Sequence, residues 1–153
     1  MIEVVMNSDT TANITKAAGG ARAALKSDPL LKWLKKNNEA SAMTNVVENF
    51  ARSQAGYSVA TYVLGIGDRH NDNVMVTRDG RLFHIDFGHF LGNYKKKFGM
   101  KRERAPFVLT PDFARVLGGK DGEAFQHYRE LCCKAYNVLR KHSNLFISLF
   151  TMM

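Results

Sequence analysis

The Asp79-Gly80 dipeptide is the feature that most constrains the fold of this chain, because a short apolar run lies on each side of it. Val74 to Val76 precede the dipeptide, and Leu82 to Ile85 follow it. Asp-Gly between two such runs is a strong β-hairpin signal, since both of its positions tolerate a positive φ. A hairpin returns its two ends to the same edge, so we expect the segments before residue 74 and after residue 85 to lie together.

Helical patterns surround this hairpin, with apolar residues at three- and four-residue intervals. One predicted helix starts at Pro29 behind a capping Ser27 or Asp28, and a second runs from about Ser41 to Gly65. A third runs from Thr110-Pro111 to Gly118-Gly119, and a fourth includes Phe125 to Leu139. The β-branched run Ile2 to Val5 predicts one more strand, and Gly19-Gly20 predicts a loop in a polar stretch. The predicted fold class is α+β, mainly helical with a small β-hairpin.

Reactive side chains gather on both sides of the hairpin. It is preceded by Gly65-Ile66-Gly67-Asp68-Arg69-His70-Asn71-Asp72-Asn73 and followed by His84-Ile85-Asp86-Phe87-Gly88-His89. Asn73 and Asp86 would then converge, and an amide oxygen beside a carboxylate suits Mg²⁺ when phosphate oxygens and waters complete its shell. Asp68 lies five residues before Asn73, as the catalytic Asp precedes the metal-binding Asn in protein kinases, and Asp-Phe-Gly repeats their metal-binding triplet. The order Asp-Arg-His reverses theirs.

Three of the five histidines lie in this cluster, namely His70, His84 and His89. Asp-Phe-Gly alone is short enough to occur by chance, but so many polar groups around one hairpin are costly near a core unless they are used. His84 alternates with apolar neighbours on a predicted strand, which favours a hydrogen-bonded structural role over a catalytic one. For Arg69 we favour a structural pairing with a neighbouring carboxylate.

The chain is strongly basic, with 22 Lys and Arg against 14 Asp and Glu and a formal net charge of +8. Most of the excess lies in the decapeptide Lys95–Arg104, here called the basic segment, which holds six cations and one Glu. By composition alone such a run is a solvated face or a nucleic-acid patch. Neither a stretch of about eighteen apolar residues nor a signal-peptide pattern occurs, so we expect a cytosolic protein.

The motifs Gly-Asp-Arg-His-Asn-Asp-Asn and His-Ile-Asp-Phe-Gly-His resemble the catalytic and metal loops of the phosphoinositide 3-kinase family. The resemblance begins at Ile2-Glu3-Val4-Val5, which is similar to the hinge between kinase lobes, and continues through Ala55-Gly56-Tyr57, Lys134-Ala135-Tyr136 and Asn144-Leu145-Phe146. It implies the mainly helical C-terminal lobe of a class I catalytic subunit, with a protein-kinase-like fold. Within residues 1–153 it implies a hinge at about 1–6, a catalytic loop at about 65–73 and an activation loop at about 86–112.

The resemblance also implies an ATP site. The main chain of Glu3 and Val5 would hydrogen-bond the adenine, and Met75 and Ile85 would form the apolar floor beneath the ring. The implied cofactors are ATP and Mg²⁺.

For phosphoryl transfer, the resemblance assigns Asn73 and Asp86 to Mg²⁺. His70 would accept the proton of the inositol hydroxyl or steady the transferring phosphoryl group, with Asp68 orienting it. His89 would lie near the γ-phosphate. Imidazole changes its protonation near neutral pH, which suits base catalysis.

The basic segment decides in this family which lipid is accepted. Its two basic boxes resemble those of class I enzymes, which phosphorylate the 3-hydroxyl of phosphatidylinositol 4,5-bisphosphate, and Lys95 and Arg102 align with headgroup-contacting positions. The predicted substrate-binding residues are Lys95, Lys96, Lys97, Lys101, Arg102 and Arg104. The implied partners are a phosphoinositide lipid in an anionic membrane and, in the full-length protein, a regulatory subunit and a Ras-type small GTPase, with no nucleic acid. We expect a cytoplasmic protein that is recruited peripherally to the plasma membrane.

Two alternatives stay open from the sequence. One is a related phosphatidylinositol kinase or a related protein kinase, and the other is a non-catalytic module that binds anionic membranes or nucleic acid. No Gly-rich phosphate loop precedes Ile2, and Gly19-Gly20 lacks the strand context of such a loop. We therefore expect a fragment without its N-terminal lobe and other family domains, and negligible turnover from the 153 residues alone.

Overall fold

A computed structural model describes residues 3–20, 28–91, 93, 96–97, 100–101 and 105–152. The helices are α1 (Thr11–Ala17), α2 (Pro29–Asn37), α3 (Met43–Leu64), α4 (Pro111–Val116), α5 (Glu123–Lys141) and α6 (Ser143–Thr151), with a 3₁₀ turn at Ala40–Ala42. Strands β1 (Ser8–Thr10), β2 (Val74–Thr77) and β3 (Leu82–His84) form an antiparallel sheet in the order β1-β2-β3, and β4 (Lys96–Lys97) pairs with β5 (Met100–Lys101). The predicted α+β class is confirmed.

The predicted hairpin is β2-β3, in which Met75 pairs with Phe83 and Val74 pairs with His84. Its turn contains Gly80, whose φ of 92° lies in the left-handed region that favours glycine. A Cβ at this position would lie 2.9 Å from Cγ1 of Val46 on α3 and would collide with the Val46 carbonyl oxygen. The glycine is therefore required twice, by the turn and by the close approach of the turn to α3.

Helix α3 holds the hairpin through two polar side chains. The Asn49 amide donates to the carbonyl of Asp79 at 2.9 Å, and the main-chain N–H of Leu82 donates to the Ser53 hydroxyl at 2.9 Å. These bonds fix the turn and the start of β3 to one helix face. The loops at the open end of the hairpin are therefore carried on a rigid support.

The hydrophobic core lies between α3, the inner face of the sheet and helices α2, α4 and α5. Phe50 of α3 is fully buried and meets Phe113 of α4 edge to ring, with the ring centroids 5.7 Å apart. Burial of a side chain of this size stabilises the fold by roughly 2–3 kcal/mol. The core cluster consists of Ile14, Leu30, Leu34, Val46, Phe50, Ala51, Ala55, Val74, Val76, Leu82, Phe113, Val116, Leu117 and Tyr128.

The structure corrects the prediction of a strand at Ile2 to Val5 for residues 3–5, whereas Ile2 lies outside the described residues. Residues 3–5 lie outside any strand, Asn7 turns the chain with a φ of 56°, and the strand is β1, which pairs with β2. A polar strand such as β1 forms because a partner edge is available, which intrinsic propensity does not reveal. Helix α1 was likewise not predicted, although Thr10 caps it by accepting the N–H of Asn13.

The remaining predicted helices are confirmed within about two residues of their expected bounds. Helix α3 ends at Gly65, which adopts a left-handed conformation with φ 56°. Thr110 caps α4 by accepting the N–H of Phe113 at 3.2 Å, and the Asp112 carboxylate accepts the N–H of Leu30 at the start of α2, also at 3.2 Å. In the part of the chain that the structure describes, no helix combines the length and the apolar character needed to cross a membrane.

Candidate active site

The loops before and after the hairpin lie side by side, as the Asp79-Gly80 signal predicted. The N–H of Ile85 donates to the carbonyl of Asn73 at 3.0 Å, which extends the pairing of β2 and β3 by one step. Further along, the N–H of Gly67 donates to the carbonyl of His89 at 2.7 Å. Two separate main-chain bonds therefore join residues 65–73 to residues 85–89.

The Asn73 side chain bonds to main-chain groups of its own loop, residues 65–73, here called the first loop; residues 85–89 are the second loop. Asn73 is 3% exposed, its Oδ1 accepts the N–H of His70 at 2.9 Å, and its Nδ2 donates to the carbonyl of Asp68. A main-chain N–H only donates and a carbonyl only accepts, so these partners fix which end of the amide is oxygen. An amide oxygen has two lone pairs, and the bond from His70 uses one of them.

Arg69 joins the two loops through its side chain. Its Nε donates to the carbonyl of Gly67 at 2.9 Å, its Nη1 donates to the carbonyl of Ile85 at 2.7 Å, and its Nη2 donates to the carbonyl of Asp86. The guanidinium also lies over the Phe87 ring, 5.3 Å from the centroid, in a cation–π contact. Main-chain carbonyls, which were not anticipated from the sequence, thus give Arg69 its structural role.

Asp68 and Asp86 share an uncommon backbone conformation. Their φ values are 56° and 57°, in the left-handed region that costs a residue other than glycine about 1–2 kcal/mol. Conformations of this kind concentrate at functional sites, where the surrounding structure enforces them. Here the hydrogen bonds from Asn73 to Asp68 and from Arg69 to Asp86 do so. The Asp86 residue is exposed to solvent.

The imidazole of His70 is exposed and lies between two neighbours. The Asp72 carboxylate oxygen is 3.6 Å from Nδ1, and the Asp72 N–H approaches the same nitrogen at 3.3 Å. The Asn73 amide nitrogen is 3.4 Å from Nε2. Because the Asp72 N–H donates to Nδ1, the proton of the neutral ring lies on Nε2. A second proton, on Nδ1, would face the Asp72 carboxylate.

His89 is half-buried in the second loop, and its Nδ1 lies 3.1 Å from the carbonyl oxygen of Asn93. Since that oxygen can only accept, Nδ1 carries the proton, and Nε2 is the basic nitrogen of the neutral ring.

His84 lies on the inner face of β3 and is 7% exposed. Burial, followed by the positive charge of Arg69, lowers its pKa from an ordinary 6.5 to about 4. The ring packs against Tyr57 with centroids 4.6 Å apart, which supports the structural role. The hydrogen bond expected from the sequence is not found at Nδ1, which has no partner within the described residues.

Of the residues expected to contact adenine, Met75 lies on β2 and Ile85 directly follows β3, while Glu3 and Val5 precede β1. Val74, Val76, Leu82 and His84 face the core, whereas Met75 and its cross-strand partner Phe83 are half-buried on the other face. Ile85 is also half-buried, and Glu3 and Val5 are exposed. The Ser8 hydroxyl donates to the carbonyl of Val5 at 2.8 Å. Phe83 was not predicted as a site residue.

Thr11 is a second residue that the sequence did not reveal. Its hydroxyl donates to the carbonyl of Asn71 at 2.9 Å, and the N–H of Ala12 donates to the same oxygen at 2.9 Å. Both bonds come from the first turn of α1 and hold the middle of the loop 65–73. No sequence signal could have identified them, because α1 itself lies in a polar stretch.

Within the basic segment the described residues form a short antiparallel ribbon, in which Lys96 pairs with Lys101 and Lys97 with Met100. Lys95, Arg102 and Arg104 lie outside the described residues. Between the second loop and the segment, the N–H of Leu91 donates to the carbonyl of Leu64 at the end of α3.

The fold and the two motifs are together typical of a kinase domain lobe, with an Asp-to-Asn loop and an Asp-Phe-Gly loop joined by a hairpin on a helical support. Comparison with known proteins agrees. Residues 1–153 match the family model described as phosphatidylinositol 3- and 4-kinase. The chain therefore belongs to the phosphatidylinositol 3- and 4-kinase family. Membership of this kinase family implies the use of ATP and a divalent metal ion in general terms.

Three curated relatives from Dictyostelium discoideum are similar along the whole chain. They are phosphatidylinositol 3-kinase 1, 62% identical over 155 residues, phosphatidylinositol 3-kinase 2, 59% identical over 154 residues, and phosphatidylinositol 3-kinase 3, 54% identical over 154 residues. The chain covers 10%, 8% and 9% of these relatives, respectively, so it spans about a tenth of their length.

Proposed function

We propose that this chain is the C-terminal catalytic lobe of a class I lipid kinase, which transfers the γ-phosphate of ATP to the 3-hydroxyl of phosphatidylinositol 4,5-bisphosphate. In this proposal residues 1–6 form the hinge, 65–73 the catalytic loop and 86–112 the activation loop. The observation that carries the proposal is the coupling of the two loops by Arg69, which bonds to Gly67 on one side and to Ile85 and Asp86 on the other.

The donor set on either side of the hairpin fits a magnesium ion. The described residues contain no group of three or more His, Cys, Asp and Glu that could hold a metal, so the proposed ligands are the Asn73 amide oxygen, with its second lone pair, and the Asp86 carboxylate. Two protein oxygens suffice for Mg²⁺ when phosphates and waters supply the rest. When bound, the ion would neutralise charge on the phosphates of ATP.

The outer face of the sheet is the proposed adenine site. Met75 and Ile85 are half-buried there, and Phe83 extends the apolar surface. Because the Val5 carbonyl already accepts from Ser8, we assign the Val5 N–H, together with the main chain of Glu3, to the adenine edge. Apolar contact with a few fixed polar groups is the usual composition of a nucleotide pocket.

His70 is the proposed base for the inositol hydroxyl. The ring would take the proton of the hydroxyl and become an imidazolium beside the Asp72 carboxylate, 3.6 Å from Nδ1, and Asp68 would help to orient it. His89 would face the γ-phosphate with Nε2, since Nδ1 is occupied by Asn93. The exposure of His70 and the burial of His84 favour this division of roles.

The basic segment is the proposed headgroup site, with contacts from Lys95, Lys96, Lys97, Lys101, Arg102 and Arg104. Lys and Arg pair well with several phosphates, and each basic residue near an anionic leaflet contributes about 1 kcal/mol. Peripheral recruitment to the plasma membrane, a regulatory subunit and a Ras-type GTPase complete the proposal for the full-length protein.

The proposal is tested in a chimera in which this chain replaces the matching segment of Dictyostelium phosphatidylinositol 3-kinase 1. The assay follows phosphate transfer from labelled ATP to vesicles that contain phosphatidylinositol 4,5-bisphosphate. Asp86→Ala is expected to lower transfer by more than about a hundredfold, because a metal ligand is lost. The matched control is Asp121→Ala, an exposed carboxylate between α4 and α5, which should retain activity. An active Asp86→Ala chimera would refute the proposal.

The lipid preference has its own test. Lys95→Ala with Arg102→Ala should reduce activity on the bisphosphorylated lipid more than activity on phosphatidylinositol. The control pair Lys35→Ala and Lys36→Ala removes the same charge from the exposed end of α2. Equal losses on both lipids would favour a related kinase with a different substrate, and salt-sensitive vesicle binding without any transfer would favour a non-catalytic module.

A further inference from the structure

A chain of buried polar groups runs through the interface between α3 and α5. Gln54, Ser58 and Tyr128 are 2%, 4% and 3% exposed. The Gln54 amide nitrogen donates to the Ser58 hydroxyl at 3.1 Å, and the Ser58 and Tyr128 hydroxyls lie 3.0 Å apart. Burial is the main reason that the Tyr128 pKa rises to about 12. None of these groups has a part in the mechanism proposed above.

The Gln54 amide also binds the loop that precedes α4. The Gln54 nitrogen donates at 2.8 Å to the carbonyl of Val108, a residue that packs against the core just before the cap of α4. A carbonyl only accepts, so this contact identifies the amide end as nitrogen. A buried polar group that satisfies a distant main-chain oxygen fixes that point of the chain more specifically than apolar packing does.

Val108 lies four residues after Arg104, the last residue of the basic segment. Four residues before Lys95, the N–H of Leu91 donates to the carbonyl of Leu64. Gln54 and Leu64 are both on α3, and ten residues of helix span about 15 Å. One helix therefore holds the chain on both sides of the basic segment, at Leu91 before it and at Val108 after it.

We infer that Gln54 is a positioning residue for the lipid substrate: through Val108 it anchors the chain just after the basic segment and so limits the positions that the cations of the segment can sample. The inference rests on the proposed function. If one end of the segment is released, the cations sample more positions, and the cost of ordering them falls on lipid binding. The ATP site, which lies on the hairpin, is unaffected.

The experiment compares three variants in the chimera with phosphatidylinositol 3-kinase 1. Gln54→Met keeps the length of the side chain and loses the donor. Ser58→Ala removes the second acceptor of the amide and keeps the bond to Val108. Tyr128→Phe removes a buried hydroxyl of the same network and leaves both contacts of Gln54 in place. Urea unfolding curves check that each variant folds.

We expect the three variants to differ in how much they raise the KM for the lipid. Gln54→Met raises the KM for the lipid about three- to tenfold, the factor for one lost hydrogen bond, while the KM for ATP changes little. Ser58→Ala has a smaller effect on the lipid, and Tyr128→Phe has none. Hydrogen exchange of the amides of residues 107–110 should increase in the same order. A purely structural role would instead lower stability in all three and leave both KM values unchanged.

Two outcomes overturn the inference. If exchange at 107–110 in Gln54→Met matches that of the parent, the amide does not anchor the segment. If exchange increases but the KM for the lipid does not change, the anchor has no role in substrate binding. A parent chimera without lipid kinase activity would remove the proposed function and the substrate role with it, while exchange would still decide whether the anchor exists.

Discussion

The Nη1 atom of Arg69 donates a hydrogen bond to the main-chain carbonyl of Ile85 at 2.7 Å. The Arg69 side chain also bonds to Gly67 and Asp86, so one residue of the first loop holds the second loop in place. A guanidinium presents several donors in one fixed plane, which a lysine cannot reproduce. The placement of Asp86 therefore depends on the shape of Arg69 as well as on its charge.

Arg69→Lys is predicted to lower kcat of the chimera about 10- to 100-fold, because misplacement of reacting groups is costly even when the charge is kept. The measurement is the steady-state rate at saturating ATP and lipid. Arg81→Lys is the matched control, since Arg81 is exposed in the hairpin turn and pairs with Asp79 there. A kcat equal to that of the parent in Arg69→Lys would show that the carbonyl contacts do not position the site.

The hairpin turn should tolerate no side chain at Gly80. Gly80→Ala is predicted to lower the free energy of unfolding by about 2–5 kcal/mol, from the strained φ and from the collision with Val46. Urea denaturation of the chain provides the measurement.

The steric part of that effect can be separated with a second glycine. Gly119 has a φ of 82°, but an added Cβ would meet nothing within 4 Å. Gly119→Ala is therefore expected to cost only about 1–2 kcal/mol. If the two variants lose the same stability, the close approach of the turn to α3 contributes nothing.

Thr11→Val tests the support of the loop 65–73 by α1. Valine matches the shape of threonine but cannot donate to Asn71, so a loss of about 1 kcal/mol in the free energy of unfolding is predicted. Thr15→Val is the control, because among the described residues that hydroxyl bonds to the carbonyl four residues earlier in the same helix and such bonds contribute little. Faster hydrogen exchange at residues 70–73 should accompany Thr11→Val alone, and its absence would contradict the prediction.

Local signals explain which parts of this structure could be predicted from the sequence. The Asp79-Gly80 turn and the capping Thr110 act through their nearest neighbours, so the hairpin and α4 were predicted correctly. The meeting of Asn73 with the segment around Asp86 followed from the hairpin alone. In contrast, β1 exists because β2 offers it an edge, and Ser8 to Thr10 carry no apolar alternation that would have indicated a strand.

Long-range polar contacts were the other part that the sequence could not supply. The oxygens that Arg69 binds belong to the main chain, so no residue type identifies them. The bond from Gln54 to Val108 likewise joins residues 54 positions apart. Such contacts depend on how elements pack, and a periodic pattern describes only which face of an element is buried.

His84 should make the stability of the chain depend on pH. Its pKa is about 4 in the folded protein and about 6.5 when unfolded. As the pH falls from 6.5 to 4, the unfolded chain binds a proton at His84 that the folded chain does not, so the free energy of unfolding decreases. The full effect is about 3 kcal/mol, and above pH 6.5 this contribution is constant.

His84→Leu is the variant that isolates this effect, because leucine fills the inner face of β3 without a titrating group. Unfolding in urea at pH 7, 6, 5 and 4.5 is predicted to show a shallower loss of stability in the variant than in the parent. The Asp112 carboxyl, whose pKa is raised by burial, is present in both proteins and cancels from the difference. Parallel curves would mean that His84 is protonated in the folded chain, where Arg69 and the packing against Tyr57 would then have to tolerate a buried charge.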